Sequence, residues 1–383
     1  MAHIRKRERP GRQTIYEVRY LDPAGNERSK SFRRKGDAER WLSGNEVAKH
    51  DGSWVDPQRL KVQFQDWTEH FMATGLWKAK TRADYEGLLR VLIHPTFGTM
   101  PLGRIDQVAV KEWVAGLHKR GLSPYRIRNA YRLLSKILKT AVQAGYLPRN
   151  VAEGVALPRI VEGDRTVLTA AEVARFVREM PPERGYDVLV QLLAYGGLRW
   201  GEVCGLRRGR CELLRSRLLI AESLAEVNGT MLFQPTKTYE RRYVRLPGRV
   251  VENLARHLET VPDDESALVF TSGRGTPLRN QNFRRSYWNP AVKRAAVPPA
   301  ITPHGLRHTC ASLLVDQGAD PVAVQEHLGH RDVATTLRIY RHLFADSSDR
   351  LTSALDALYS TAEAEALKAT EKVASLAGRR SSR

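Results

Sequence analysis

The sequence predicts an α+β multidomain protein in three parts. A small basic module of β-sheet plus helix comes first, then an all-α four-helix domain, then a mainly α domain with a small three-stranded antiparallel sheet. Three observations predict this. A chain of 383 residues is long enough for two or three domains, each burying its own core. Apolar residues recur with a period of two near residues 16–32 and 218–246, and with a helical period almost everywhere else. The string from Leu157-Pro158-Arg159 to Gly163-Asp164 has the Pro/Gly/charge texture of an exposed linker.

Residues 1–57 form the first part. Tyr16, Val18 and Tyr20 alternate with Glu17 and Arg19, as in a half-buried strand. Asp22-Pro23-Ala24-Gly25-Asn26 is a turn cluster, and Arg28 to Phe32 resumes the alternation, so a hairpin is predicted. A helix follows from Asp37, with Ala38, Trp41 and Leu42 inward. Residues 1–36 hold 11 Lys/Arg against 4 Asp/Glu. Arg28, Lys30, Arg33, Arg34 and Lys35 lie on or beside the second strand, where a basic sheet suits a DNA groove. The alternative is an exposed hairpin whose charge serves only solubility.

Residues 61–157 read as helical throughout. Phe64, Trp67 and Phe71 mark one helix, and Tyr85, Leu88, Leu89 and Leu92 a second, with Thr81-x-x-Asp84 resembling a capping box at its start. Val110, Trp113, Val114 and Leu117 mark a third. Ser123-Pro124 opens a fourth, with Ala130, Leu134, Ile137, Leu138 and Ala141 inward. Its outer face carries Arg126, Arg128, Arg132, Lys136 and Lys139, which is either a solvated face or a DNA contact.

The third part spans residues 165–360. Thr169-x-x-Glu172 is a capping box, and a helix with Val188, Leu189, Leu192 and Leu193 leads to Gly196-Gly197 and Arg199. Residues 218–221, 231–234 and 243–246 read as three short strands, with Asn228-Gly229 a hairpin signal between the first two. Lys237 falls in or beside the next turn. Helices fill the remainder, and residues 361–383 read as a flexible tail.

The composition, 42% hydrophobic and 27% charged, is that of an ordinary globular protein, but 62 Lys+Arg against 42 Asp+Glu leave a net charge of +20. An excess that large favours a polyanionic partner, nucleic acid above all. Three cysteines without a C-x-x-C pair disfavour a disulfide framework or a cysteine zinc site. No signal peptide is apparent, and no apolar run approaches the ~18 residues that span a bilayer. The expectation is a soluble, intracellular protein.

Six residues carry the chemistry: Arg199, Lys237, His304, Arg307, His330 and Tyr340. Two guanidinium forks would grip the non-bridging oxygens of a phosphodiester, whose negative charge grows in the transition state. His304, three residues before Arg307, lies on the same side of a helical turn, and His330 adds a donor or a proton shuttle. Tyr340 suits the nucleophile, since nearby cations favour its anion, and Lys237 suits the acid that protonates the leaving oxygen. Singly, each residue has a duller explanation; thirteen tyrosines make any one of them a core candidate. His304, His308, His327 and His330 lack the accompanying pattern of a metal site, no P-loop is present, and no paired carboxylates suggest a two-metal nuclease.

Five separated strings resemble the tyrosine recombinases. They are Gly197-Leu198-Arg199-Trp200-Gly201-Glu202, Lys237 within Thr236-Lys237-Thr238, His304-Gly305-Leu306-Arg307-His308, Leu328-Gly329-His330, and Tyr340. The resemblance covers residues 165 to about 360, and the three-part layout resembles a phage-type integrase. Gly305 sits where an aspartate is frequent in that family, and the His330–Tyr340 spacing of ten departs from the also familiar nine.

The resemblance implies an arm-type DNA-binding module of three strands plus a helix at residues 1–57. It further implies a core-binding domain at 61–157, a catalytic domain at 165–360, and cleavage and rejoining of double-stranded DNA without cofactor or metal. Four protomers would assemble around two duplexes at phage attachment sites, aided by a DNA-bending host factor and an excision factor, in a bacterial host's cytoplasm. Leu351, Ala354, Leu355 and Leu358 would place a terminal helix on a neighbouring protomer; the residues alone leave packing within one subunit equally open. A type IB topoisomerase is the nearest alternative enzyme, and a DNA-binding regulator with a decayed site the alternative of another class. The four-helix domain and basic module oppose the first, and the intact set of six opposes the second.

Overall fold

The structure, a computed structural model, describes residues 2–9, 12–160, 166–235, 241–329, 332–334, 337, 352–353 and 355–365. The chain divides into two compact units, Met1–Glu162 and Gly163–Arg383.

The first unit begins with three antiparallel strands, β1 (His3–Arg9), β2 (Arg12–Leu21) and β3 (Glu27–Phe32), in the order β1-β2-β3, followed by α1 (Lys35–His50). The Asp22 carboxylate closes the β2–β3 turn by accepting from the backbone N–H groups of Ala24 and Asn26 at 3.0 and 2.8 Å. Val18, Tyr20 and Ala38 form a small core, with the Tyr20 ring 5.1 Å from that of Trp41. The hairpin reading finds β2 and β3 but not β1, whose sequence HIRKRER alternates charge rather than apolarity. The helix starts at Lys35, two residues ahead of the predicted Asp37, which instead supplies the acidic group of the first turn.

Helices α2 (Phe64–Thr74), α3 (Ala79–Leu88), α4 (His94–Phe97), α5 (Gln107–Lys119) and α6 (Pro124–Gln143) share a second core. Helix α6 is built as its sequence predicts: Ser123 caps it by accepting from the Arg126 N–H, Pro124 follows, and Ala130, Leu134, Ile137, Leu138 and Ala141 are wholly buried. Indole N–H groups tie the bundle together, Trp67 donating to the Ile137 carbonyl at 3.2 Å and Trp113 to that of Leu92 at 2.9 Å. The predicted capping box at Thr81 is overturned. Helix α3 starts at Ala79 after Lys78, Thr81 lies inside it, and Asp84 pairs with Lys80 at 2.9 Å. A π-helical turn at Leu89–Ile93 shifts the apolar period, so that Leu89, Leu92 and Ile93 are buried together.

In the second unit, α7 (Ala170–Arg178) opens on the predicted capping box of Thr169 and Glu172. Helices α8 (Tyr186–Ala194) and α9 (Trp200–Cys204) follow. A three-stranded antiparallel sheet is present, but residues 231–234 belong to a separate two-stranded sheet and Cys211–Glu212 takes the third place. Strands β4 (Cys211–Glu212), β5 (Arg217–Ile220) and β8 (Arg242–Arg245) form one, ordered β4-β5-β8. Strands β6 (Glu222–Val227) and β7 (Thr230–Pro235) form the other, a separate hairpin. Asn228 and Gly229 join that hairpin with φ of +48° and +79°, the left-handed pair a type I′ turn needs. β6 escapes the sequence reading because Glu222, Ser223 and Glu226 dilute its alternation.

Helices α10 (Gly248–Leu258), α11 (Asn280–Phe283), α12 (Asn289–Arg294), α13 (Pro303–Asp316) and α14 (Pro321–Leu328) complete the unit, and residues 355–365 are helical. The largest core of the protein runs from Leu168 to Leu306 around α8, which is buried on nearly every side. Cys310, Ala311, Val315, Val324 and Leu328 pack α13 on α14. No described helix is long and apolar enough to cross a membrane. The predicted linker end at Gly163-Asp164, Leu351 and Ala354 lie outside the described residues; Leu355 and Leu358 are exposed.

Ile137→Ala is expected to destabilise the helical part of the first unit by about 2–5 kcal/mol, because it opens a cavity in a fully buried position. Leu76→Ala, at a fully exposed residue, should stay within about 0.5 kcal/mol. Denaturant unfolding followed by the fluorescence of Trp67 and Trp113 distinguishes the two.

Candidate active site

The local chain dictates the first contacts. Arg199 precedes the first turn of α9, whose backbone N–H groups lack partners, and Glu202 three residues on supplies the missing acceptor. Its Oε2 accepts from the Arg199 backbone N–H at 2.9 Å, and its Oε1 accepts from Arg199 Nη1 at 2.7 Å. The guanidinium reaches further: Arg199 Nη2 donates to the Gly329 carbonyl at 3.2 Å. About a quarter of the Arg199 side chain remains exposed.

Arg307 sits one turn into α13, on the side that packs inward, and is 2% exposed. Its Nη1 donates to the Gly197 carbonyl and its Nη2 to that of Leu328 at 2.7 Å. One buried cation thus joins the loop before α9 to the end of α14. Burying a charge is costly unless its donors find acceptors, and the two carbonyls supply charge-assisted acceptors to both terminal nitrogens. Both arginines converge on Leu328–Gly329, the residues immediately before His330.

His304 is exposed at the start of α13, and its ring meets the His308 ring edge-on at 4.6 Å. Thr302 caps the helix by accepting from the Gly305 N–H at 3.0 Å. Space explains the glycine at 305: a Cβ there would lie 2.9 Å from Ile301 Cδ1 and 3.3 Å from the Thr166 carbonyl, so an aspartate does not fit without movement. Lys237, His330 and Tyr340 lie outside the described residues. The structure therefore brings together Arg199 and Arg307, and puts His304 on the helix of Arg307. Among the described residues no three His, Cys, Asp or Glu side chains gather as a metal-binding group.

Glu202 and Arg242 were not singled out for a role by the sequence, yet they complete the site. Arg242, the first residue of β8, makes a two-pronged pair with Glu202, Nη1 to Oε1 at 2.9 Å and Nη2 to Oε2 at 2.7 Å. Burial pushes the Glu202 carboxyl up, but the hydrogen bonds and charge of Arg242, then Arg199, outweigh it and hold the group down at about 2. Two guanidiniums on one carboxylate leave the cluster with surplus positive charge, as an anion site requires. The position of Glu202 three residues after Arg199 was a visible signal. For Arg242, 40 residues away, no signal existed.

The basic residues proposed for DNA differ in exposure and in partners, and Lys30 is exposed. Arg33, Arg34, Lys35, Arg126, Arg132 and Lys136 are exposed. Arg128 is half-buried in a cleft of about 380 Å³ with Tyr125, Asn129, Arg132, Arg159 and Ile160, and its Nε has no hydrogen-bond partner among the described residues. Several of the nine, exposed ones included, already have partners. Val18 faces Lys30 and Tyr20 faces Arg28 across the β2–β3 ladder, so both cations stand on the side of the sheet that bears the small core. Arg28 pairs with Asp22 and Asp56 at 3.2 and 3.0 Å, and the Lys30 ammonium lies 4.8 Å from the Trp41 ring. Lys136 lies 4.3 Å from the Trp77 ring, and Lys35 is 3.3 Å from Glu39. The opposite sheet face carries Arg5, Arg7 and Arg19, which the sequence reading passed over.

Comparison with known proteins adds the following. The profile described as Phage integrase family matches residues 166–346. The integrase of Mycobacterium phage D29 is 26% identical over 331 residues, covering 81% of this chain and 86% of that protein. The tyrosine recombinase XerA of Thermococcus onnurineus is 30% identical over 232 residues, covering 55% of this chain and 76% of that protein. Among solved structures, the Tn1549 transposon integrase in complex with transposon right end DNA superposes with a TM-score of 0.66 at 23% identity, covering 77% of this chain and 99% of that one. A lambda integrase tetramer bound to a Holliday junction gives 0.53 at 19% identity, covering 83% of this chain and 91% of that one. The structural likenesses establish the fold, helices with small antiparallel sheets.

Glu202→Gln is expected to weaken the protein at neutral pH, leaving Arg242 buried beside a neutral amide. The carboxylate's contribution is present above its unfolded value near 4.5 and is lost as pH falls towards about 2. The stability gap between wild type and Glu202→Gln, on the order of 3 kcal/mol at pH 7, should therefore close between pH 5 and 2. Urea unfolding at several pH values measures it, and a gap that does not change with pH would overturn the assignment.

Proposed function

The chain belongs to the tyrosine recombinase family, and on that premise we propose the residue roles, domain roles and DNA substrate of its reaction. It is a site-specific recombinase, an enzyme that breaks and rejoins DNA. Arg199 and Arg307 hold the non-bridging oxygens of the scissile phosphate, supported by His304 and His330. The Tyr340 Oη attacks phosphorus, a 3′-phosphotyrosyl ester forms, and the 5′ oxygen leaves with a proton from Lys237. The ester conserves the energy of the broken bond, so a 5′-hydroxyl from another strand attacks it, expels Tyr340 and restores the phosphodiester without ATP.

The observation that supports these roles best is the convergence of both guanidiniums on the backbone just before His330. Residues 1–57 act as the arm-type DNA-binding module, 61–157 as the core-binding domain and 165–360 as the catalytic domain, followed by the tail at 361–383. The substrate is double-stranded DNA at attachment sites. A homotetramer performs the exchange, as the lambda integrase tetramer on a Holliday junction illustrates for that protein. A DNA-bending host factor and an excision factor set the direction in a bacterial cytoplasm.

Incubation with a nicked duplex carrying the attachment-site core from the DNA flanking the reading frame should give a covalent protein–DNA adduct on a denaturing gel. Tyr340→Phe should lower its yield by at least about 10³-fold. An undiminished adduct in the variant would remove Tyr340 from the role and make exposed Tyr359 the next candidate.

A further inference from the structure

Arg242 belongs to none of the strings that carry the resemblance, yet it is tied to two of them. Its fork occupies both oxygens of Glu202, whose side chain is 1% exposed, while Arg242 itself is 13% exposed. Glu202 thereby accepts four bonds: two from the Arg242 guanidinium, one from Arg199 Nη1 and one from the Arg199 backbone N–H. A carboxylate offers about four lone-pair sites, so this one is saturated and its orientation is fixed. The stem of Arg242 runs against Gly329, where a Cβ would fall 2.4 Å from Arg242 Cδ; Gly329 has a φ of +66° and caps α14. Gly329 also takes the second Arg199 donor on its carbonyl.

Arg242 therefore touches the acid that orients Arg199 and the glycine that precedes His330. With both Nη atoms on Glu202 and Nε buried without a hydrogen-bond partner among the described residues, it faces inward rather than towards a bound phosphate. We propose that Arg242 is a positioning residue for strand cleavage, holding the Glu202 carboxylate so that the Arg199 guanidinium is fixed against the scissile phosphate. The proposal rests on the reading of Arg199 as a phosphate-holding group. Lysine cannot replace it in full, because an ammonium is a point charge and lacks the planar two-pronged geometry.

The test uses the full chain and the nicked attachment-core duplex at saturating protein, measuring the single-turnover rate of adduct formation, DNA affinity by gel shift, and melting temperature. Arg242→Gln should form adduct about 100-fold more slowly, with DNA affinity within about twofold of wild type, because the loss lies in orientation rather than binding. Arg242→Lys should fall between the two. The double variant Arg242→Gln/Glu202→Gln should be no more than about threefold slower than the slower single variant, since both act through one contact. If Arg242→Gln does not fold, the lysine variant carries the test, and a rate equal to wild type in it overturns the proposal. Multiplying effects in the double variant overturn it too. A wild-type chain that forms no adduct overturns the recombinase roles beneath it, an outcome distinct from wild-type adduct with unimpaired Arg242 variants.

Discussion

The structure of the site depends on the capture of one buried guanidinium by two backbone carbonyls. Arg307 joins Gly197, 110 residues earlier, to Leu328, 21 residues later. Either carbonyl, left without its donor in the interior, would lose a strong hydrogen bond, and the guanidinium would be an uncompensated charge. The three segments therefore hold their positions together or not at all. Backbone acceptors suit this task because they are fixed by the chain itself and carry no net charge. A neutral acceptor leaves more of a cation's field for an incoming anion than a carboxylate would.

Glu202 shows the complementary choice. Here a full negative charge is buried, and two guanidiniums answer it. The carboxylate orders both forks and still leaves the cluster cationic. A site meant for a phosphodiester has to resolve this conflict: arginines must be held rigidly, yet the means of holding them must not neutralise them. One shared acid together with three carbonyls achieves that with less negative charge than one acid per arginine would.

Much of this was legible in the sequence because it depends on local rules. Ser123-Pro124 and Thr169-x-x-Glu172 mark helix starts by the chemistry of unpaired N–H groups, and both do so in the structure. Asn228-Gly229 marks a hairpin through its left-handed backbone. Thr81-x-x-Asp84 has the same form and misleads, since ion pairs from Lys80 and Arg82 support a helix that has already begun. Strand β1 was hidden because its pattern is written in charges, and β6 because acidic and polar residues interrupt it. In the site, Arg199 and Arg307 were recognisable from their neighbours in sequence. Arg242 was not, since its meaning comes only from a carboxylate 40 residues away.

The partnered cations of the first unit bear on how the charge of +20 acts. When a polyanion is bound, each phosphate newly neutralised releases condensed counterions, and the salt exponent of the affinity counts those events. Arg28, forked between two aspartates, and Lys30, set over an indole, are already committed in the unbound protein. To neutralise a phosphate they would have to loosen those contacts. The ionic-strength sensitivity of the chain is then set by outward side chains such as Arg33, Arg34, Arg126 and Arg132, and is shallower than the formal charge implies.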